Sequence, residues 1–170
     1  MMSFQTLHTG KFVSLVRRGT WEYASRNGLT GIIAILAVTG QNKIVLVEQF
    51  RPPVGKRVIE IPAGLAGDLP GSEDEDLAIA AARELEEETG YRAAKMEVLT
   101  RGAASAGICD EIITLYRATG LVKVGPCGGD AHEKIEVHEV PVDEVEQFLA
   151  AKDRAGVIVD LKVYSALYFL

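Results

Sequence analysis

Arg83-Glu84-Leu85-Glu86-Glu87-Glu88-Thr89-Gly90-Tyr91, entered from the apolar run Leu77-Ala78-Ile79-Ala80-Ala81-Ala82, sets a dense block of carboxylates inside an otherwise apolar helix. At about 100° per residue, Glu88 lies about 40° from Glu84, and Glu87 about 60° to the other side. Leu77, Ala81 and Leu85 fall within about 100° of Glu84, so two of the glutamates border the stripe that faces a core. Like charges four residues apart repel, and carboxylates drawn toward an interior need a partner. Arg83 alone does not suffice for all of them, whereas a hard divalent cation would. An all-oxygen donor set with room for water and phosphate favours Mg²⁺ or Mn²⁺ over zinc. The competing reading is a solvated acidic face closed by Gly90, and Glu86, about 200° from Glu84, fits it.

The chain around this helix has 170 residues, 48% hydrophobic and 25% charged, enough for one sizeable core and too few for two. The expectation is one domain over residues 1–170. A net charge of -6 argues against a nucleic-acid backbone as partner, which would call for a basic patch. No basic start leads into a long apolar run, and the longest apolar stretch, residues 31–38, falls short of a membrane span, so a cytoplasmic protein without a membrane partner is expected. Cys109 and Cys127 are too few for a disulfide framework and are expected to be reduced thiols.

Period and punctuation outline the remaining elements. Residues 11–16 and 20–25 read as strands, and residues 31–39 and 43–50 as a hairpin across Gly40-Gln41-Asn42. A short strand at 57–61 ends at Pro62, residues 62–74 read as a loop, and Ser72 is a plausible cap for the acidic helix. Strands follow at 96–101, 112–119 and 134–140, then helices at 143–151 and 160–169. Mixed strands with helices on the faces make an α/β sandwich.

Arg83, Glu84, Leu85, Glu87, Glu88, Gly90 and Tyr91 resemble the REUxEExGU core of the Nudix hydrolases, where U is a bulky apolar residue, and Glu75 stands at that family's spacing ahead of Arg83. One departure is Leu69, where the motif has glycine; the longer loop at 65–74 precedes an intact helix. The resemblance continues through Glu48-Gln49-Phe50-Arg51-Pro52-Pro53 and Ile59-Glu60-Ile61-Pro62-Ala63-Gly64, which look like the branch that hydrolyses ADP-ribose and other nucleoside diphosphate sugars. It implies a Nudix-type α/β/α sandwich with a mixed sheet and a small N-terminal β element at residues 1–28, involved in forming a homodimer. It also implies hydrolysis of the diphosphate bond of ADP-ribose, or of a hexose relative such as GDP-mannose, to a nucleoside monophosphate and a sugar phosphate. Alternatives are dinucleotide or nucleoside triphosphate hydrolysis, or a silent nucleotide-binding sensor, whose usual mark, a lost motif glutamate, is missing here.

The resemblance also suggests roles. Glu84, Glu87 and Glu88, with the Ala63 carbonyl, would hold Mg²⁺ or Mn²⁺, and a loop broken by Pro62 and Gly64 leaves carbonyls available. Arg83 would fix the helix from within, and Arg51 has the planar fork that suits a diphosphate. Glu60 faces opposite to Ile59 and Ile61, toward substrate or solvent. Trp21 would stack on the base, which stacking does without choosing among bases. Glu133, on a glycine-led loop, and Glu111 compete as general base, with a helix glutamate as a third option. Ala106 stands where the ADP-ribose enzymes usually carry proline, which widens the choice toward other nucleoside diphosphate sugars.

Overall fold

A computed structural model describes residues 3–68, 71–126 and 134–170. The acidic stretch is a helix, α1 (Leu77–Thr89), but its cap is Asp76 and not Ser72. Residues 72–75 close a turn through the Glu75 amide on the Ser72 carbonyl at 2.8 Å. Asp76 is extended there, and its carboxylate accepts from the Ala78 and Ile79 amides, two of the donors that a helix start leaves unpaired. Gly90 ends the helix at φ 71°, a left-handed conformation that glycine adopts without cost.

Among the described residues the strands form four sheets. β1 (Phe4–Thr9), β2 (Val13–Arg18) and β3 (Trp21–Arg26) form an antiparallel N-terminal sheet. A mixed sheet runs in the order β7 (Ala63–Ala66), β4 (Gly31–Ala37), β10 (Ile112–Thr119), β9 (Lys95–Ala103), with β4 and β10 parallel. A second mixed sheet has the order β12 (Glu136–Pro141), β5 (Lys43–Arg51), β6 (Lys56–Glu60), β13 (Ile158–Val159). The pair β8 (Tyr91–Arg92) and β11 (Val122–Lys123) follows α1.

Two expectations change here. The strands at 31–37 and 43–51 are consecutive but not a hairpin: they meet at the single bridge Val38–Ile44 and then enter different sheets. Both are buried along almost their whole length, as strands covered on both faces are. Such runs carry no alternation that would assign a partner. The segment 63–66, expected as loop, is a strand, because its backbone pairs with β4 from Gly31–Ala66 to Ala34–Ala63.

The packing is helix, sheets, helices. Ile33, Ile35 and Ala37 of β4 pack toward Ala81 and Leu85 of α1. Ala34 and Leu36, the alternate residues, pack toward α2 (Val145–Arg154) and α3 (Leu161–Leu167) through Leu149 and Val163. The α/β sandwich expected from the residue pattern is therefore present. The N-terminal sheet adjoins it through the Ala24 amide on the Ile108 carbonyl at 2.8 Å and the Ser25 hydroxyl on Asp110 at 2.8 Å.

One buried charge ties the second sheet to α2. Glu48, 3% exposed, accepts from Lys152 at 2.6 Å, faces His138 at 3.0 Å and is bonded by Arg57. Burial works to raise its pKa, but the hydrogen bonds from Lys152, Arg57 and His138 prevail and hold it at about 2. A lowered pKa of this kind stabilises the folded state above the unfolded value of 4.5 and is lost as pH falls through about 2. The gap in thermal midpoint between the wild type and Glu48→Gln, wide at pH 7, should therefore close as pH falls from 4.5 to about 2. A gap that is the same at both ends contradicts the ion-pair account.

Candidate active site

Arg83 is the centre around which the acidic groups are arranged. Its guanidinium donates to Glu75 at 3.2 Å, to the Leu65 carbonyl at 3.1 Å and to Asp68 at 3.3 Å, and on its own helix to Glu84 at 2.9 Å and Glu87 at 3.1 Å. The loop, strand β7 and α1 are thus tied at one side chain. Burial opposes its charge, yet the hydrogen bond to Glu75 and the charges of Glu84 and Glu87 keep its pKa above the ordinary arginine value. Glu75 is held below the usual carboxylate range by the Arg83 hydrogen bond.

Glu84 and Glu88 behave differently from their neighbours. Burial pushes the Glu84 carboxyl up to about 7, with Arg83 opposing and Glu87 and Asp68 adding to the rise. Glu88 is 5% exposed and accepts from the Ala63 amide at 3.2 Å. Gly64 makes the approach of Glu84 possible: a β-carbon there would fall inside contact distance of the Glu84 Cγ, Cδ and Oε1 atoms. The glycine of Pro62-Ala63-Gly64 is thus required by a side chain twenty residues away, in addition to any turn it makes. Glu86, by contrast, forms a two-pronged pair with Arg92 at 2.9 Å, so its outward face is an ion pair as well as a solvated one.

A cavity of about 510 Å³ opens beside these groups, lined by Ala63, Gly64, Glu84 and Glu88 together with Arg51, Glu60 and Glu111. Arg51 donates to Glu60 at 2.7 Å, and Glu60 is 5% exposed, so of the two directions left open for Glu60 the cavity, and not solvent, is the one observed. Pro52–Val54 forms a tight 3₁₀ turn directly after Arg51. Glu111 is paired with Arg26 at 2.5 Å. Arg26, Asp68 and Lys162 also line the cavity and had no local signal in the chain; Arg26 is paired there with Glu111 and Asp68 with Arg83, both distant in sequence, whereas Lys162 is paired with the nearby Asp160.

Other expected residues lie elsewhere. Arg83 and Glu87 are not part of the cavity wall: Arg83 stands behind Glu84, and Glu87 is half exposed beside it. Trp21 and Ala106 share a separate cleft of about 560 Å³ with Tyr23, Cys109 and Asp110, where the indole donates to the Gly107 carbonyl at 3.0 Å. Glu133 lies outside the described residues, as do Cys127 and His132.

The donor set suits a hard cation. Ala63, Glu84 and Glu88 all line the cavity with oxygen donors; both carboxylates are largely buried, and Glu84 shares the charge of Arg83 with Glu75, Asp68 and Glu87. Among the described residues, ligand atoms that already lie within 4.8 Å of one another belong to Glu48, Glu136 and His138. That group is compensated by Lys152 and Arg57, which already supply the positive charge a metal would bring.

Comparison with known proteins gives a consistent result. A family model described as the NUDIX domain matches residues 29–161, a span that begins just after the N-terminal sheet. A Bacillus methanolicus protein named methanol dehydrogenase activator is 43% identical over 82% of this chain and 71% of its own length. A Bacillus subtilis protein named ADP-ribose pyrophosphatase is 37% identical over the same shares, and a Mycobacterium tuberculosis protein of that name is 38% identical over 73% of this chain and 61% of its own. A solved structure titled as an ADP compounds hydrolase superposes with a TM-score of 0.67 at 17% identity, covering 85% of this chain and 80% of that one, which speaks to the fold.

Gly64→Ala tests the packing of the acidic wall. The backbone tolerates alanine, so the substitution acts by displacing Glu84. The expected outcome is a loss of Mg²⁺ affinity of about tenfold or more by titration calorimetry, with a thermal midpoint shifted by less than about 4 °C. Unchanged Mg²⁺ affinity contradicts a role for Glu84 in holding the cation.

Proposed function

This chain belongs to the NUDIX domain family, and on that footing we propose that it is a divalent-metal-dependent pyrophosphatase. Its substrate on this reading is ADP-ribose or a related nucleoside diphosphate sugar, and its products are a nucleoside monophosphate and a sugar phosphate. The observation that carries the reading is that Glu84, Glu88, Ala63 and Arg51 line one and the same cavity. Carboxylates and a guanidinium in one cavity suit a diphosphate that arrives with its own cation. The relatives named ADP-ribose pyrophosphatase support the substrate class.

Each side chain has a physical task in this proposal. Arg51, held in place by Glu60 at 2.7 Å, orients the phosphates before reaction and so lowers the entropic part of the barrier. Mg²⁺ or Mn²⁺ held by Glu84, Glu88 and the Ala63 carbonyl, with Glu87 adjoining, would neutralise charge on the diphosphate and lower the pKa of water. Arg26 keeps the Glu111 carboxylate at the cavity edge, where it is positioned to accept a proton. Glu133 is the other candidate base, and a glutamate of α1 the third. Trp21 offers an exposed aromatic surface, 60% accessible, for the base. Homodimer formation through the N-terminal sheet is part of the proposal, supported by exposed Phe4, Phe12, Val13 and Leu15 around it.

The 43% identical relative named for activating a dehydrogenase favours a second reading, in which the cavity serves a partner enzyme. One panel addresses both. Phosphate release after coupled phosphatase, from ADP-ribose, GDP-mannose, UDP-glucose and dinucleotides in Mg²⁺, should be greatest for a nucleoside diphosphate sugar. Glu88→Gln should retain less than about a tenth of that activity. Retention above that level sinks the metal assignment, and binding without turnover of any free nucleotide favours the second reading.

A further inference from the structure

The cavities of this molecule form a sequence, and Lys162 stands at one of its junctions. The Trp21 cleft shares Asp110 with a groove that also holds Arg26 and Glu111. That groove shares Arg26, Ile32 and Glu111 with the diphosphate cavity. The diphosphate cavity in turn shares Ile113 and Lys162 with a chamber of about 190 Å³ between β9, β10 and α3. The Trp21 cleft and this chamber have no lining residue in common, and the shared residues connect them by way of the groove and the diphosphate cavity.

Lys162 differs from the other two cations of the diphosphate cavity. Arg51 and Arg26 are each paired with a carboxylate of that same cavity, Glu60 and Glu111. The partner of Lys162 is Asp160, which is not among the residues of the cavity wall. Asp160 holds it twice over: one carboxylate oxygen caps α3 by accepting the Lys162 amide at 2.7 Å, and the other accepts the ammonium at 2.6 Å. A lysine otherwise loses much rotamer freedom on binding an anion, and this tether reduces that loss. An ammonium has three donors, and the Asp160 contact takes one of them. The chamber beyond offers an apolar floor from Ala34, Ile113 and Leu115, with Thr100 and Ser165 at its polar positions.

We infer that Lys162 is a substrate-binding residue that holds the sugar phosphate half of the substrate, and that the chamber it adjoins is where the sugar is distinguished. The inference rests on the pyrophosphatase reading for the identity of the substrate. If the base lies against Trp21, the order of the cavities puts the diphosphate in the cavity that Glu84, Glu88 and Arg51 line, and the distal sugar against Lys162. A short N-terminal helix turn and a single lysine would carry little by themselves; the shared wall of two cavities is what gives the position its meaning.

The test is calorimetric binding of ribose 5-phosphate and of AMP, each in saturating Mg²⁺, to the full chain as wild type, Lys162→Met and Lys162→Arg. Ribose 5-phosphate affinity should fall about tenfold or more in Lys162→Met and largely return in Lys162→Arg, while AMP affinity stays within about twofold. Equal losses for the two ligands, no loss, or no binding of ribose 5-phosphate to the wild type each overturns the inference. Failure of the wild type to hydrolyse any nucleoside diphosphate sugar overturns the pyrophosphatase reading instead, and is distinguishable because the binding experiment needs no turnover.

Discussion

The Arg83 guanidinium is the interaction on which the acidic site depends. It bonds the Leu65 carbonyl on β7, Asp68 and Glu75 of the following loop, and Glu84 and Glu87 on α1. One cation thereby holds four carboxylates in a fixed arrangement, and it leaves them with a surplus of negative charge. The surplus falls hardest on Glu84, the group that burial already pushes up to about 7. A buried carboxylate in that condition is costly to ionise unless a cation joins it. Ionisation of Glu84 therefore costs the fold stability as pH rises from 4.5 through about 7, and on the proposed reading a bound divalent ion would offset that cost.

The same cavity also carries two arginines, each paired with an acid of its own lining, Arg51 with Glu60 and Arg26 with Glu111. These pairs hold both guanidiniums in place. On the proposed reading this arrangement would let an anion and a cation occupy one cavity together, with Glu60 and Glu111 each orienting a guanidinium.

The acidic helix was legible in the sequence because its signals are local. Charge against apolar period, a left-handed Gly90 and a match to a known motif all lie within a few turns. The partnering of the strands was not legible, because residues 31–37 and 43–51 are buried on both faces and so carry no alternation to choose a sheet. Strand β7 was hidden for a different reason: Ala63-Gly64-Leu65-Ala66 has weak strand preference and owes its conformation to the backbone of β4. The cap was misplaced by four residues because Ser72 and Asp76 are both good capping residues, and only the turn at 72–75 decides between them. Of the residues that line the candidate cavity, Glu84, Glu88, Ala63, Arg51, Glu60 and Glu111 were singled out in the chain, whereas Arg26 needed its contact with Glu111 across 85 residues and Lys162 the lining of two cavities. Gly64 was seen as a loop breaker, and its steric debt to Glu84 became visible only with both segments in place.

The central claim is that Glu84 is a carboxylate kept partly protonated by burial until a divalent cation replaces the proton. Titration of Mg²⁺ into the chain at pH 6 and pH 8, in buffers of different ionisation enthalpy, counts the protons released on binding. With Glu84 at about 7, release of about one proton per bound cation is predicted at pH 6 and almost none at pH 8. Binding with the same proton count at both pH values, or no binding of Mg²⁺ at either, would contradict the account.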